Sequence, residues 1–80
     1  MKRNDYNTMH TEVLVFKTNI SSEYEIDRLK ELFANHENII RWNVDRQDVD
    51  KVLRIECGII NPITIVNLLR SAGFECEELP

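Results

Sequence analysis

Two helix-start signals, Ser22-Glu23-Tyr24-Glu25 and Asn61-Pro62, divide the chain, and a run of β-branched and apolar residues lies on each side of both. In the first, the serine hydroxyl can accept the backbone N–H three residues on while Glu25 reaches back, the reciprocal arrangement of a capping box. In the second, asparagine caps and proline takes the first helical position, where no N–H is needed. Ile26, Leu29, Leu32 and Phe33 then recur at three- and four-residue steps, which predicts a helix ending near Asn35. Glu23, Glu25 and Asp27 set negative charge at its start, where the helix dipole favours it. Ile65, Val66, Leu69 and Ala72, with Leu68 at the margin, form the stripe of a second helix, and Gly73 is placed to take the left-handed conformation after its last turn.

The flanking runs read as strands. Thr11 to Ile20 is β-branched and aromatic; Ile39 to Val44 alternates with Ile40, Trp42 and Val44 on one face; Lys51 to Ile59 alternates with Leu53, Ile55 and Cys57 inward; and Phe74 to Leu79 resumes a short strand. Asp45 to Asp50 is rich in turn formers and too short for a crossover, so the middle strands form an antiparallel hairpin. Two right-handed crossovers flanking a hairpin close as a four-stranded antiparallel sheet in the order 4-1-3-2 with both helices on one face. The expected class is α+β, a ferredoxin-like βαββαβ sandwich. Its uncovered face would display Val13, Val15, Lys17, Arg41, Asn43, Val52, Arg54, Glu56, Glu75 and Glu77.

Eighty residues with 42% hydrophobic content fit one small core, expected over residues 11–80, with residues 1–10 as a mobile polar arm in which Met9 can serve as the start. Ten basic against fourteen acidic residues give a charge of −4, and the basic residues are scattered from Lys2 to Arg70, which argues against nucleic acid as a partner. The strand pattern also lacks the aromatic pairs of an RNA-recognition sheet. No apolar run approaches the ~20 residues of a membrane span, and MKRNDYNTMH lacks the apolar stretch of a secretory signal, so the expected location is the cytoplasm, with no membrane partner.

The stretches IDRLKELFANHENIIRWNVD, KVLRIECGI and SAGFECEEL resemble the heavy-metal-associated domain of copper chaperones and metal-transport ATPases over about residues 12 to 79. The matching features are the strand entering a loop ahead of the first helix, the Asn38-Ile39 to Asp45 strand, and the closing Ser71-Ala72-Gly73-Phe74. Small bacterial members of that superfamily with FKTNI and IIRWNVD stretches but no thiols are the most similar in pattern. In the family, two thiolates three positions apart at the helix N-terminus hold a soft monovalent ion. Here Ile20 stands for the buried methionine, and Ser22 and Glu25 stand where the cysteines would be. The resemblance therefore implies the family scaffold without its metal site.

Cys57 and Cys76, the two cysteines, both fall on inward parity on strands separated by strand one, about 9.5 Å apart, beyond the ~7 Å reach of a disulfide. Both are expected reduced and packed. The other candidate ligands, Glu23 and Glu25, are accounted for by capping, and Asp45, Asp48 and Asp50 lack the glycine and terminal glutamate of a calcium loop. His10 and His36 have no cysteine or serine nucleophile beside them, with His36 expected at the C-terminal end of the first helix. Trp42 is expected in the core beneath a helix. No catalytic, cofactor-binding or metal residue is assigned, and no cofactor.

These inventories point away from an enzyme and toward a binding module whose partner is a protein, the chain itself or another, met by the open sheet face or an edge strand. One alternative is a metal carrier with altered ligands, one cysteine plus carboxylates near Glu25. Another is an ACT-like sensing domain, although TNISSEY has no glycine. An acylphosphatase-like enzyme would need an arginine in a glycine-rich anion cradle, which this sequence lacks.

Overall fold

The computed structural model describes residues 11–80; the expected N-terminal arm, with Met9 and His10, lies outside the described residues. The elements follow in the order β1 (Glu12–Thr18), α1 (Glu23–Phe33), β2 (Ile39–Asp45), β3 (Val52–Cys57), α2 (Pro62–Ser71) and β4 (Cys76–Glu78). All strand pairs are antiparallel, and the sheet runs β2-β3-β1-β4. Written from the β4 edge, this line of neighbours is the 4-1-3-2 given above. The α+β arrangement is compatible with a ferredoxin-like fold, and the corrections it requires concern the extent of individual elements and the phase of one strand.

Alternation along β1 and β3 sends Leu14, Phe16, Leu53, Ile55 and Cys57 to one side, where they meet Leu29 and Phe33 of α1 and Ile65, Val66 and Leu69 of α2 in a single buried cluster. Both helices therefore cover the same face. Phe16, Leu53 and Ile55 are fully buried, each contributing roughly 1.5–3 kcal/mol by leaving water. Arg28 of α1 places its guanidinium 5.1 Å from the ring centre of Phe74, joining the first helix to the end of the second.

The helix ends follow their local chemistry. Asn61 accepts from the backbone N–H of Ile63, with Pro62 at the first helical position. At the other end of α2, the Phe74 N–H donates to the Leu69 carbonyl and the Gly73 N–H to the Arg70 carbonyl, with Gly73 at φ +95°. This pair of bonds is a Schellman motif, which needs the left-handed conformation at Gly73 and turns Phe74 back onto the core.

Four expectations need correction. β1 ends at Thr18 rather than Ile20: Thr18 is the last residue paired with β4, opposite Cys76, and its hydroxyl, which donates to the Lys51 carbonyl at 2.6 Å and accepts from the Ile20 N–H at 3.1 Å, turns the chain out of the sheet. Ile20 then drops into the core as a loop residue with no exposed surface. α1 ends at Phe33, and Asp27 lies beyond its first turn, 3.7 Å from Lys30. β4 has three residues, because the Schellman turn occupies the backbone of Phe74.

The fourth correction concerns β2. Ile39 faces Cys57 and Arg41 faces the adjacent Glu56, so Ile40 is an extra residue in a β-bulge. Ile40 is 51% exposed, whereas Ile39 packs against the core with Trp42 and Val44. The alternation Ile40, Trp42, Val44 inward thus holds only for its last two members.

Candidate functional site

The sheet face away from the helices carries three rows of side chains. Val13 stands opposite Glu56, and Glu56 opposite Arg41, whose Nε lies 2.9 Å from the Glu56 carboxylate. In the next row Val15 stands opposite Arg54, and Arg54 opposite Asn43. Lys17 faces Glu77 on β4, and Asp45 faces Val52. The Leu79 N–H donates to the Val15 carbonyl at 2.8 Å, so Leu79 lies beside Val15 after β4 has ended. The surface is apolar at Val13 and Val15 of β1, beside the charged Arg54 and Glu56 of β3 and the polar Arg41, Asn43 and Asp45 of β2, with Lys17 charged at the far end of β1. Val13 is more than half exposed, so the apolar part is open to a partner.

The loop between β1 and α1, where the resemblance would place the family's metal site, is closed by its own hydrogen bonds. Ser22 Oγ accepts from the Glu25 N–H at 3.2 Å, while Glu25 Oε1 accepts from the N–H groups of Ser21 at 2.9 Å and Ser22 at 3.1 Å. The capping box is thus complete. The backbone N–H of Ser21, then that of Ser22, hold the Glu25 carboxyl below the usual carboxylate range. Above the box, Arg46 of the β2–β3 turn sets Nη2 3.0 Å from Glu23 Oε2 and Nη1 3.4 Å from the Ser21 carbonyl. A guanidinium therefore already meets the acidic side chain at this loop mouth.

The remaining candidates are kept apart. Cys57 sits opposite Glu12 and Cys76 opposite Thr18, at the two ends of β1, so six residues of strand, about 20 Å, separate them along the sheet. Both are buried free thiols; burial raises the Cys57 pKa, with Glu12 adding to it, and pushes Cys76 up to about 11. A protonated, buried thiol is a poor nucleophile and a poor ligand. Asp45 and Asp48 accept from the backbone N–H groups of Gln47 and Asp50, two residues on, which makes them turn formers. His36 follows α1, its N–H donating to the Phe33 carbonyl, and borders a hollow of about 480 Å³ with Asn35, Asn38, Ile59, Asn61 and Thr64. Trp42 is half-buried and meets the Phe33 ring edge-on, centroids 5.4 Å apart at 76°. Lys30, Phe33, Ile39, Ile40 and Trp42 line a groove of about 320 Å³ between α1 and the outer edge of β2.

Among the described residues no three His, Cys, Asp or Glu side chains gather as a metal-holding group, and no helix is long and apolar enough to cross a membrane. The contacts absent from the sequence reading are those of Thr18, Arg46 and Asn19, the last accepting from the Glu75 N–H at 3.0 Å. Each joins residues far apart in the chain, and no local pattern announces them. No family model matches the chain, and no curated protein matches it in sequence.

Proposed function

We propose that this domain is a non-catalytic protein-interaction module, a heavy-metal-associated-like scaffold whose thiolate site has been replaced by a helix cap, working in the cytoplasm. The observation that carries the reading is the uncovered sheet face, with Val13 and Val15 along β1 beside the charged rows of Arg54, Glu56 and Arg41. An apolar strip rimmed by oriented charges supplies both contact area and register for a protein partner. The loop chemistry supports the same reading. Ser22 and Glu25 spend their polar atoms on the first turn of α1, and Arg46 neutralises Glu23.

The test is affinity capture from the native cell with wild type, Val13→Glu and, as a control outside the sheet, Ile59→Glu. Proteins retained by wild type and the control but released by Val13→Glu support the reading. A strictly monomeric chain that enriches no protein counts against it.

A further inference from the structure

Among the described residues no strand pairs with the outer edge of β2; this edge is complementary to itself, and we propose that it pairs with β2 of a second copy of this chain, antiparallel and centred on Asn43, to make one continuous eight-stranded sheet. The proposal rests on the reading of the domain as an interaction module and names the partner for its edge strand. Because the Leu79 N–H donates to the Val15 carbonyl, Val15 directs its backbone groups to β4, and its neighbours Leu14 and Phe16 direct theirs to Ile55 and Leu53 of β3. The same alternation commits Glu56, Arg54 and Val52 to Arg41, Asn43 and Asp45. Trp42 and Val44 are left with their N–H and C=O groups directed out of the sheet.

The bulge at Ile40 and the turn beginning at Arg46 bound the flat part of this edge to residues 41–45, with Asn43 at its middle. A two-fold axis through Asn43 sets Arg41 against Asp45 of the second copy, and Asp45 against its Arg41, on the open face. It sets Trp42 against Val44 of the second copy on the helix face, and these are the residues whose backbone groups point outward. Opposite charges and an aromatic facing a β-branched residue are favourable cross-strand pairs. Within the flat stretch 41–45, any other register sets Arg41 against an uncharged residue or another Arg41. The groove of about 320 Å³ beside Trp42 lies where the incoming strand would seat Val44. The closed two-fold contact uses the same patch on both copies, so it ends at a dimer.

The test uses the full chain. Sedimentation of wild type up to ~300 µM should show a monomer–dimer equilibrium by mass action, and Asp45→Arg should weaken it at least about tenfold by opposing like charges at both ends of the pairing. Asn43→Cys places two thiols across the axis on Cα atoms about 4.5 Å apart, within disulfide reach. Mild oxidation should cross-link this variant rapidly, and Val49→Cys, on the exposed turn, slowly. Combining Asn43→Cys with Asp45→Arg should abolish the fast cross-link. A wild type monomeric throughout, or cross-linking of Asn43→Cys no faster than Val49→Cys, overturns the proposal whatever the affinity capture retains. A dimer insensitive to Asp45→Arg but broken by Val13→Glu also overturns it, and leaves the sheet-face reading standing.

Discussion

Arg46 Nη2 lies 3.0 Å from the Glu23 carboxylate, tying the turn between β2 and β3 to the first turn of α1. The pair is solvent-exposed, so its Coulomb energy is screened, and its main effect is to hold the turn over a helix N-terminus. Arg46→Ala is expected to cost about 0.2–1 kcal/mol in urea unfolding at low salt. The difference should shrink by half or more in molar salt. A cost of several kcal/mol unaffected by salt would mean that Arg46 supports the fold in some other way.

Ser22→Ala should cost about 0.5–2 kcal/mol, since it removes the acceptor for the Glu25 N–H. Glu25 gives the helix start a pH dependence of known sign. Its carboxyl is held below its ordinary value in the folded state, so its contribution is present above the ordinary carboxylate range and is lost as pH falls through the folded value. Wild type should therefore lose stability on acidification more steeply than Glu25→Gln. Parallel stability-against-pH curves for the two proteins would contradict the reciprocal cap.

The two thiols carry the opposite sign. Burial raises both, Cys76 to about 11 from an ordinary 9.0, so the contribution of Cys76 is present below pH 9 and is lost as pH rises toward 11, and that of Cys57 is lost in the same direction as pH rises. At neutral pH a reductant should leave the melting temperature unchanged, and thiol reagents should react only as fast as the protein opens. Cys57→Ser should destabilise by about 1–3 kcal/mol, through a hydroxyl with no partner in an apolar site. Rapid labelling of native protein at pH 8 would show that the burial of these thiols is wrong.

What could be read from the sequence depended on range. The Ser22 to Glu25 box, the Asn61-Pro62 start and the Gly73 stop each act within a few residues, and all are present in the structure. The inward parity of Leu53, Ile55 and Cys57 held because a strand's period is fixed at two. The phase of β2 was not legible, because Ile39 and Ile40 are equally apolar and nothing local decides which of them is bulged out. Thr18 and Arg46 could not be found either. Their bonds span 33 and 23 residues and exist only once the hairpin lies against the β1–α1 loop.

The bulge makes its own prediction. Ile40→Thr should change stability by no more than about 0.5 kcal/mol, as expected for an exposed residue. Ile39→Thr, next door, removes apolar contact with the core and should cost about 1–2 kcal/mol. Reversed sensitivities in chemical denaturation would restore the uninterrupted alternation.

The loop before α1 allows the family resemblance and the residue chemistry to be tested against each other. The Ser22 and Glu25 side chains converge on the first turn of α1, with Ser22 Oγ 3.2 Å from Glu25 Oε1. The double variant Ser22→Cys/Glu25→Cys should place two thiols at a helix N-terminus, where the dipole lowers their pKa, on a loop whose Ile20 is already buried beneath it. It gives up the capping box, at a cost of about 1–2 kcal/mol, and should bind Cu(I) more tightly than wild type, measured by competition against a chromophoric chelator under reducing conditions. Arg46 stays close enough to offset the negative charge of a two-thiolate site, so adding Arg46→Ala should weaken the gained affinity. Wild type binding as tightly as the double variant would show that this loop never lost its metal function. A folded double variant that binds nothing would show instead that Ser22 and Glu25 do not occupy the positions of the family's cysteines.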